Sequence, residues 1–284
     1  MDAPSHIAIA ICADDYGLHH GVNEAVQRLA GRRITAVSCM VGAPAWQQGI
    51  AALRALDPGR IDIGLHLDLT EYPLCLPPQS LPRLIATSYA RLLKPAQVAA
   101  EIDAQIDAFV QALGRAPDHV DGHQHIHQLP GIRTPLVAAL QRRFPNARPW
   151  LRSTRRPTLP AATARRKAWL IERLGERSLR RLAERYGYPQ NHAFLGIYGF
   201  DGAAAAYAQH LAGWLQHARS GDLLMCHPAA PVSSAASAVT ADRAPVDAIL
   251  AARHHEFAVL DDPRFDQLLA SHRITLDTLT RIQR

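Results

Sequence analysis

The strongest constraint on the fold is an alternation. Short apolar, β-rich runs recur along the chain, and segments with helical spacing separate them. Residues 6–13 (HIAIAICA) read as a buried strand. A helix over 21–31 closes at Gly31, residues 35–41 (TAVSCMV) read as a second strand, and a helix over 45–56 ends at the turn Asp57-Pro58-Gly59. Residues 61–69 (IDIGLHLDL) form a third strand candidate. Residues 72–83 hold four prolines and are expected to be a loop. Val98, Ile102, Ile106, Phe109, Val110 and Leu113 keep helical spacing over 95–113. Then come a strand over 118–126, a helix over 130–144, a short strand over 150–153 and a basic helix or helical pair over 161–186. A strand over 194–198, a helix over 203–219 and a buried strand over 222–226 (DLLMC) follow. Residues 228–245, rich in Ala, Ser and Pro, are expected to form a second loop, with helices after Asp247.

Repeated strand–helix units predict an α/β fold with a mainly parallel sheet covered by helices. About seven units would close into a distorted (β/α) barrel; an open doubly wound sheet is the alternative. No G-x-G-x-x-G follows the first strand and no Walker lysine motif is present, which disfavours dinucleotide and P-loop chemistry. With no internal repeat and no linker, residues 1–284 are read as a single domain.

Composition narrows the class. Hydrophobic residues at 48% and charged residues at 20% exclude a disordered chain. No run of 18 apolar residues exists, and no basic stretch precedes the first apolar run, so neither a membrane span nor a cleaved leader is expected. Cys12, Cys39, Cys75 and Cys226 lie far apart, as free thiols of a cytoplasmic protein would. The net charge of +6 is local: residues 152–185 carry eleven Lys/Arg against three Glu. No nucleic-acid-binding module accompanies it, so no nucleic-acid partner is expected.

Four segments place ionisable residues at the carboxyl ends of predicted strands, where α/β folds build their sites. The first is Asp14-Asp15-Tyr16-Gly17. Adjacent carboxylates repel unless a cation or a proton intervenes, and a metal on one with the other kept as a base meets that need. A helix cap is the bland alternative. The second is Gly64-Leu65-His66-Leu67-Asp68, where His66 is either a rim residue or a ligand. The third is Asp121-Gly122-His123-Gln124-His125-Ile126-His127; in an extended segment Asp121, His123, His125 and His127 would project from one face. The fourth is Met225-Cys226-His227-Pro228, where His227 suits a general acid or base. Together they supply an Asp-His-His set with an open position, the arrangement that activates water, and mixed N/O ligation suits Zn²⁺, Mn²⁺, Fe²⁺ or Co²⁺ better than Mg²⁺.

These four motifs, in this order, resemble the YdjC-like carbohydrate deacetylase family, which includes chitooligosaccharide and hopanoid-biosynthesis deacetylases. The resemblance spans residues 6–230, and the family usually carries Phe where this chain has Tyr16. It implies a barrel-like β/α fold and hydrolysis of an N-acetyl group from an acetylated sugar. It also implies one divalent metal, Mg²⁺ or Zn²⁺, held by Asp15, His66 and His123, with Asp14 as general base and His227 as general acid. His125, His127, Tyr16 and Arg152 are candidates for substrate contact or for support of the ligands, and Arg152 is placed to steady Asp14. Trp150 and Tyr198 are further candidate sugar contacts. Loops 72–83 and 228–245 would shape the site mouth.

The expected partner is an amino sugar, either soluble or lipid-linked. Helical region 161–186 is either a surface helix with one apolar stripe or a contact with anionic membrane at its inner face. A homodimer is a further candidate assembly. A metal-dependent phosphoesterase using Asp68 or Asp121 for a second ion, and a non-catalytic sugar-binding protein, are the competing readings.

Overall fold

Strand parity decides what the sheet can hold. The computed structural model describes residues 6–157, 165–231 and 247–283. Seven parallel strands run β1 (Ile7–Tyr16), β2 (Ala36–Cys39), β3 (Asp62–Leu67), β4 (His119–Gly122), β5 (Trp150–Leu151), β6 (Phe194–Leu195) and β7 (Leu223–Cys226), in the order β5-β4-β3-β2-β1-β7-β6. A further strand, β8 (Ile274–Leu276), pairs with the start of β1.

Residues of one parity face the helices: Ile9, Ile11 and Ala13 of β1, Val37 of β2 and Leu65 of β3 join the large outer core. Those of the other parity face the barrel interior, where Ala10, Cys12, Ala36, Trp150, Phe194, Leu223 and Met225 form a second, smaller core. The interior parity of β1, β3, β4 and β5, continued to the strand exits, brings in Asp14, His66, Asp121 and Arg152. Small side chains on β1 and β2 leave room for that polar cluster. Gly64 belongs to the same logic: a Cβ there would lie 2.3 Å from the His119 ring, which stacks on Trp150 at 4.0 Å.

The ends of the path, β5 and β6, share no ladder, so the sheet is a half-barrel. Its seam is laced instead by single bonds. Leu151 N donates to Pro189 O and Phe194 N to Arg155 O, each at 2.8 Å, while the buried Asn191 amide donates to Ser153 O and Ala193 O. The distorted barrel expected from the sequence is therefore the fold.

The helices are α1 (His20–Leu29), α2 (Trp46–Arg54), α3 (Leu81–Tyr89), α4 (Pro95–Leu113), α5 (Arg133–Arg143), α6 (Arg165–Arg173), α7 (Glu176–Tyr186), α8 (Ala204–Gln216), α9 (Leu250–Asp261), α10 (Arg264–Ser271) and α11 (Leu279–Ile282). The basic region is the helical pair α6–α7, broken at Gly175, whose φ of 144° excludes other residues. Three expectations need correction. The proline-rich loop ends at Ser80, because Pro82 sits in the first turn of α3, where a missing N–H costs nothing. The strand expected over 118–126 stops at Gly122. The strand expected over 194–198 keeps only Phe194–Leu195 in ladder, since Gly196 turns to φ 92°. Of the loop expected over 228–245, residues 232–245 lie outside the described residues. All four cysteines are free.

Candidate active site

A bulge makes the acid pair usable. Strict alternation would send Asp14 into the barrel and Asp15 out to the helices. Between Ala13, opposite Val37, and Tyr16, opposite Cys39, β1 spends one residue more than β2. Asp15 takes a left-handed φ of 67°, a conformation that Asp tolerates better than most residues. Both carboxylates are thereby buried at the carboxyl end of the sheet.

One oxygen of Asp15, Oδ1, lies 2.9 Å from His123 Nδ1 and 3.3 Å from His66 Nε2. Donor atoms of Asp15, His66 and His123 all fall within 4.8 Å of one another, and so do those of Asp14, His66 and Asp121. The other oxygen of Asp15 accepts from Arg253 at 2.7 Å. Asp14 accepts two bonds from the Arg152 guanidinium, 2.6 Å each, and Arg152 also meets Asp121 Oδ2 at 2.5 Å. Asp121 receives His66 Nδ1–H on Oδ1 and the Ser38 hydroxyl on Oδ2, both at 2.6 Å.

The charges interlock. Burial penalises ionisation of Asp15, yet Arg253 and His123 outweigh it and hold the carboxyl well below the usual range. Burial likewise opposes the charging of Asp121, but Arg152 and His66 keep it well below ordinary carboxylates. Burial opposes protonation of His66 too, while Asp121 and Asp14 prevail and lift it to about 9. With His66 and His123 neutral, as metal ligands are, Asp14, Asp15 and Asp121 face only Arg152 and Arg253 among the described residues, and a cation placed among these groups takes over the charge that the imidazolium protons otherwise supply.

The donor set fits a divalent metal. It offers one carboxylate oxygen and two imidazole nitrogens from three elements. The remote nitrogen of His66 is tied to a carboxylate, as in metal-bound histidines generally. The buried group Cys12, His119 and Asp121 also converges, but Ser38 and the Arg152 cation already bond within it.

A family profile described as "YdjC-like protein" matches residues 8–271. The chain belongs to the YdjC-like family. It is 32% identical over 141 residues to a chitooligosaccharide deacetylase of Enterobacter sp. (strain 638), covering 46% of this chain and 54% of that one. A human carbohydrate deacetylase is 30% identical over 250 residues, covering 78% and 75%. The chain thus spans about half the length of the first curated relatives it matches. In fold it is similar to an Enterococcus faecalis protein named for cellobiose-phosphate cleavage, with TM-score 0.68, 19% identity and 98% and 99% of the two chains covered.

The remaining residues of this YdjC-like site fall where the local backbone sends them. The histidine-rich segment is not extended: His123–Gln128 is a 3₁₀ segment with Gln124 and His125 at φ 53° and 61°. Asp121, His123, His125 and His127 therefore do not share one face. His123 reaches Asp15, and its Nε2 lies 3.1 Å from Glu71 Oε1. His125 turns its edge to Phe194 at 5.4 Å. His127 is buried and donates from Nε2 to Arg152 O at 2.9 Å; burial lowers it to about 4, so it anchors the Arg152 backbone as a neutral ring.

Tyr16 points into the core and donates to Gly49 O at 2.8 Å, so it contacts no substrate. Trp150, 1% exposed, donates to Asp62, and Tyr198, 3% exposed, donates to Glu256. Neither can stack on a sugar. Arg152, 0% exposed, serves its two carboxylates instead of a ligand.

His227 leaves β7 partly buried. Its backbone N–H donates to Glu256 Oε2 at 2.5 Å, and its ring stands edge-on to Phe200 at 5.1 Å. Burial pushes this imidazole down to about 4, against the opposing pull of Asp15 and Asp14. A groove of about 510 Å³ opens beside His123 and is lined by Thr70, Glu71, Gln79, Ser80 and Gln124.

Sequence reasoning missed Ser38, Glu71, Phe200, Arg253 and Glu256. The last two had a readable signal. Arg253, Glu256, Phe257 and Leu260 form the i, i+3, i+4, i+7 stripe that α9 buries, and two charges in such a stripe demand partners.

Proposed function

We propose that the chain is a metal-dependent hydrolase that removes the N-acetyl group from an N-acetylglucosamine-containing sugar and releases acetate. The observation that carries this reading is the convergence of Asp15, His66 and His123 within 4.8 Å, with Asp14 the neighbouring residue on the same strand. The names of the relatives, chitooligosaccharide and carbohydrate deacetylase, support the substrate class.

Asp15, His66 and His123 would hold the cation. When bound, it supplies a Lewis acid that polarises the acetamide carbonyl and acidifies water. Arg152 fixes both oxygens of Asp14, which accepts the proton of the attacking water. Arg253 occupies Oδ2 of Asp15 and so leaves Oδ1 for the ligand role. His227 passes a proton to the departing nitrogen. Its ring is neutral in the free protein; negative charge building on the tetrahedral adduct raises its proton affinity, so it takes up the proton that Asp14 removed from the water and hands it to the nitrogen as the C–N bond breaks. The groove beside Glu71 and Gln124 is the subsite for neighbouring sugar units.

The two carboxylates that a competing two-metal phosphoesterase would use, Asp68 and Asp121, are already engaged. Asp68 accepts from the backbone N–H groups of Thr70, Glu71 and Tyr72, and Asp121 is claimed by Arg152, His66 and Ser38. The deciding experiment measures acetate and phosphate release over N-acetylglucosamine oligomers, glycolipids and phosphate esters. It uses chelator-stripped protein restored with Zn²⁺ or Mg²⁺. Metal-dependent acetate release is expected; phosphate release without acetate would overturn the reading.

A further inference from the structure

Large apolar side chains that stand exposed among the described residues are Leu74, Tyr89, Leu92, Trp169, Leu170 and Leu250. Scattered singly over a surface they would need no explanation. Four of them, Tyr89, Leu92, Trp169 and Leu170, lie on two segments that share one neighbour, the turn after His123. Leu74, Tyr89 and Leu92 follow β3, Trp169 and Leu170 follow β5, and Leu250 follows β7. Each lies in a segment leaving the carboxyl end of a strand, the end that carries Asp15, His66 and His123.

Basic side chains accompany them. Residues 76–100 contain no Asp or Glu, and there Arg83, Arg91 and Lys94 are exposed around Tyr89 and Leu92. On α6, Arg166 and Arg173 are exposed beside Trp169 and Leu170, and the guanidinium of Arg173 lies 5.4 Å over the Trp169 ring. The acid of that helix, Glu172, is already paired with Arg156 at 2.6 Å. The 3₁₀ segment that carries His123 joins the two patches. At its end, Pro130 O accepts from Ser88, and Gln128 Nε2 donates to Ile171 O at 2.8 Å.

We propose that this rim docks on an anionic lipid surface and presents the site to an acetylated sugar held there. Apolar side chains flanked by Arg and Lys that have no acidic partner among the described residues suit the boundary between acyl chains and acidic headgroups. Leu92, 70% exposed, and Leu170, 54% exposed, would gain nothing from a nucleic-acid backbone. A second copy of the chain would bring like charge against like. The described residues include no helix able to cross a membrane, so the contact is peripheral. Only the sugar in this proposal rests on the deacetylase reading; the docking does not.

The test is co-sedimentation of the full chain with vesicles of phosphatidylglycerol and phosphatidylcholine, against phosphatidylcholine alone, at low and high salt. Binding to the anionic vesicles that falls with salt is expected, with a blue shift of tryptophan emission. That shift reports Trp169, because Trp46, Trp150 and Trp214 are buried. Arg91→Gln with Lys94→Gln should weaken partitioning roughly 25-fold, from a factor of about five per basic side chain neutralised. Trp169→Ser with Leu170→Ser should also weaken it, and both pairs should leave turnover of a soluble acetylated oligosaccharide unchanged. Equal binding to both vesicle types, or anionic binding untouched by either pair, overturns the proposal. So does a dimer that these substitutions dissociate while vesicle binding is absent. Vesicle binding without acetate release on any substrate would leave the docking standing and remove the deacetylase reading.

Discussion

His66 donates from Nδ1 to Asp121 Oδ1 at 2.6 Å, with both side chains out of contact with solvent. The bond fixes the ring's orientation and turns Nε2 toward Asp15. Asp121 is thus a positioning residue for the proposed ligand His66. Asp121→Asn should lower metal affinity about 10–100-fold, the usual effect of losing such a partner. Competition with a chromophoric chelator reads the change directly, and unaltered affinity would separate Asp121 from the cation.

Arg152 is a fully buried cation between Asp14 and Asp121. Its fork satisfies both carboxylates at once, which a lysine cannot do. Arg152→Met leaves Asp14 without its counter-charge and Asp121 with His66 alone. The expected loss is about 3–5 kcal/mol of unfolding free energy, as for other broken buried pairs. Denaturant titration checks it, and a loss under 1 kcal/mol would mean that the acids find another partner.

Much of this was legible in the residues. Buried runs such as IAIAICA and LLMC, separated by amphipathic helices, foretell parallel strands, and the four polar motifs mark their exits. What stayed hidden was the backbone's departure from regularity. Simple alternation puts Asp14 and Asp15 on opposite faces, and only the bulge at φ 67° reunites them. The same alternation aligns His123, His125 and His127, and the left-handed pair at Gln124 and His125 scatters them. Arg253 could not be tied to Asp15 from spacing, because 238 residues separate them and only the closed fold brings them together.

Glu256 accepts from Tyr198 Oη at 2.6 Å and from the His227 backbone at 2.5 Å, yet burial dominates and raises it to about 7. Its folded-state value exceeds the unfolded one near 4.5. Between these values the unfolded chain has already released the proton that the folded chain keeps. Stability therefore falls as pH rises from about 4.5 to 7 and is flat above, by a few kcal/mol from this group. Glu256→Gln should remove that slope relative to the parent. Unfolding curves at pH 5 and pH 7.5 decide it, and parallel profiles for the two proteins would exclude the effect.

Phe200 holds φ at 62°, unusual for a bulky residue, and turns its ring to the edge of His227. Lys167 Nζ sits 4.4 Å from that ring. Partly exposed beside the proposed acid, Phe200 is a candidate aromatic contact for a sugar, where Trp150 and Tyr198 are buried. Phe200→Ala should raise KM for the oligosaccharide by roughly 2–12-fold, the range of one aromatic contact, with kcat changed less. Steady-state kinetics separates the two parameters, and a fall in kcat alone would assign Phe200 to the placement of His227.

His227 is asked to deliver a proton to an amine leaving group, which an amide needs and an activated ester does not. His227→Ala should therefore slow acetamide hydrolysis about 10²–10⁴-fold, the range of general acid catalysis. Hydrolysis of 4-nitrophenyl acetate, whose phenolate departs unaided, should drop far less. Among the described residues the ring makes no hydrogen bond from Nδ1, so its removal strands few partners there. Metal content measured on the same sample guards against a trivial loss of the cation. Equal losses on both substrates at full metal content would move His227 from proton delivery to stabilising the adduct.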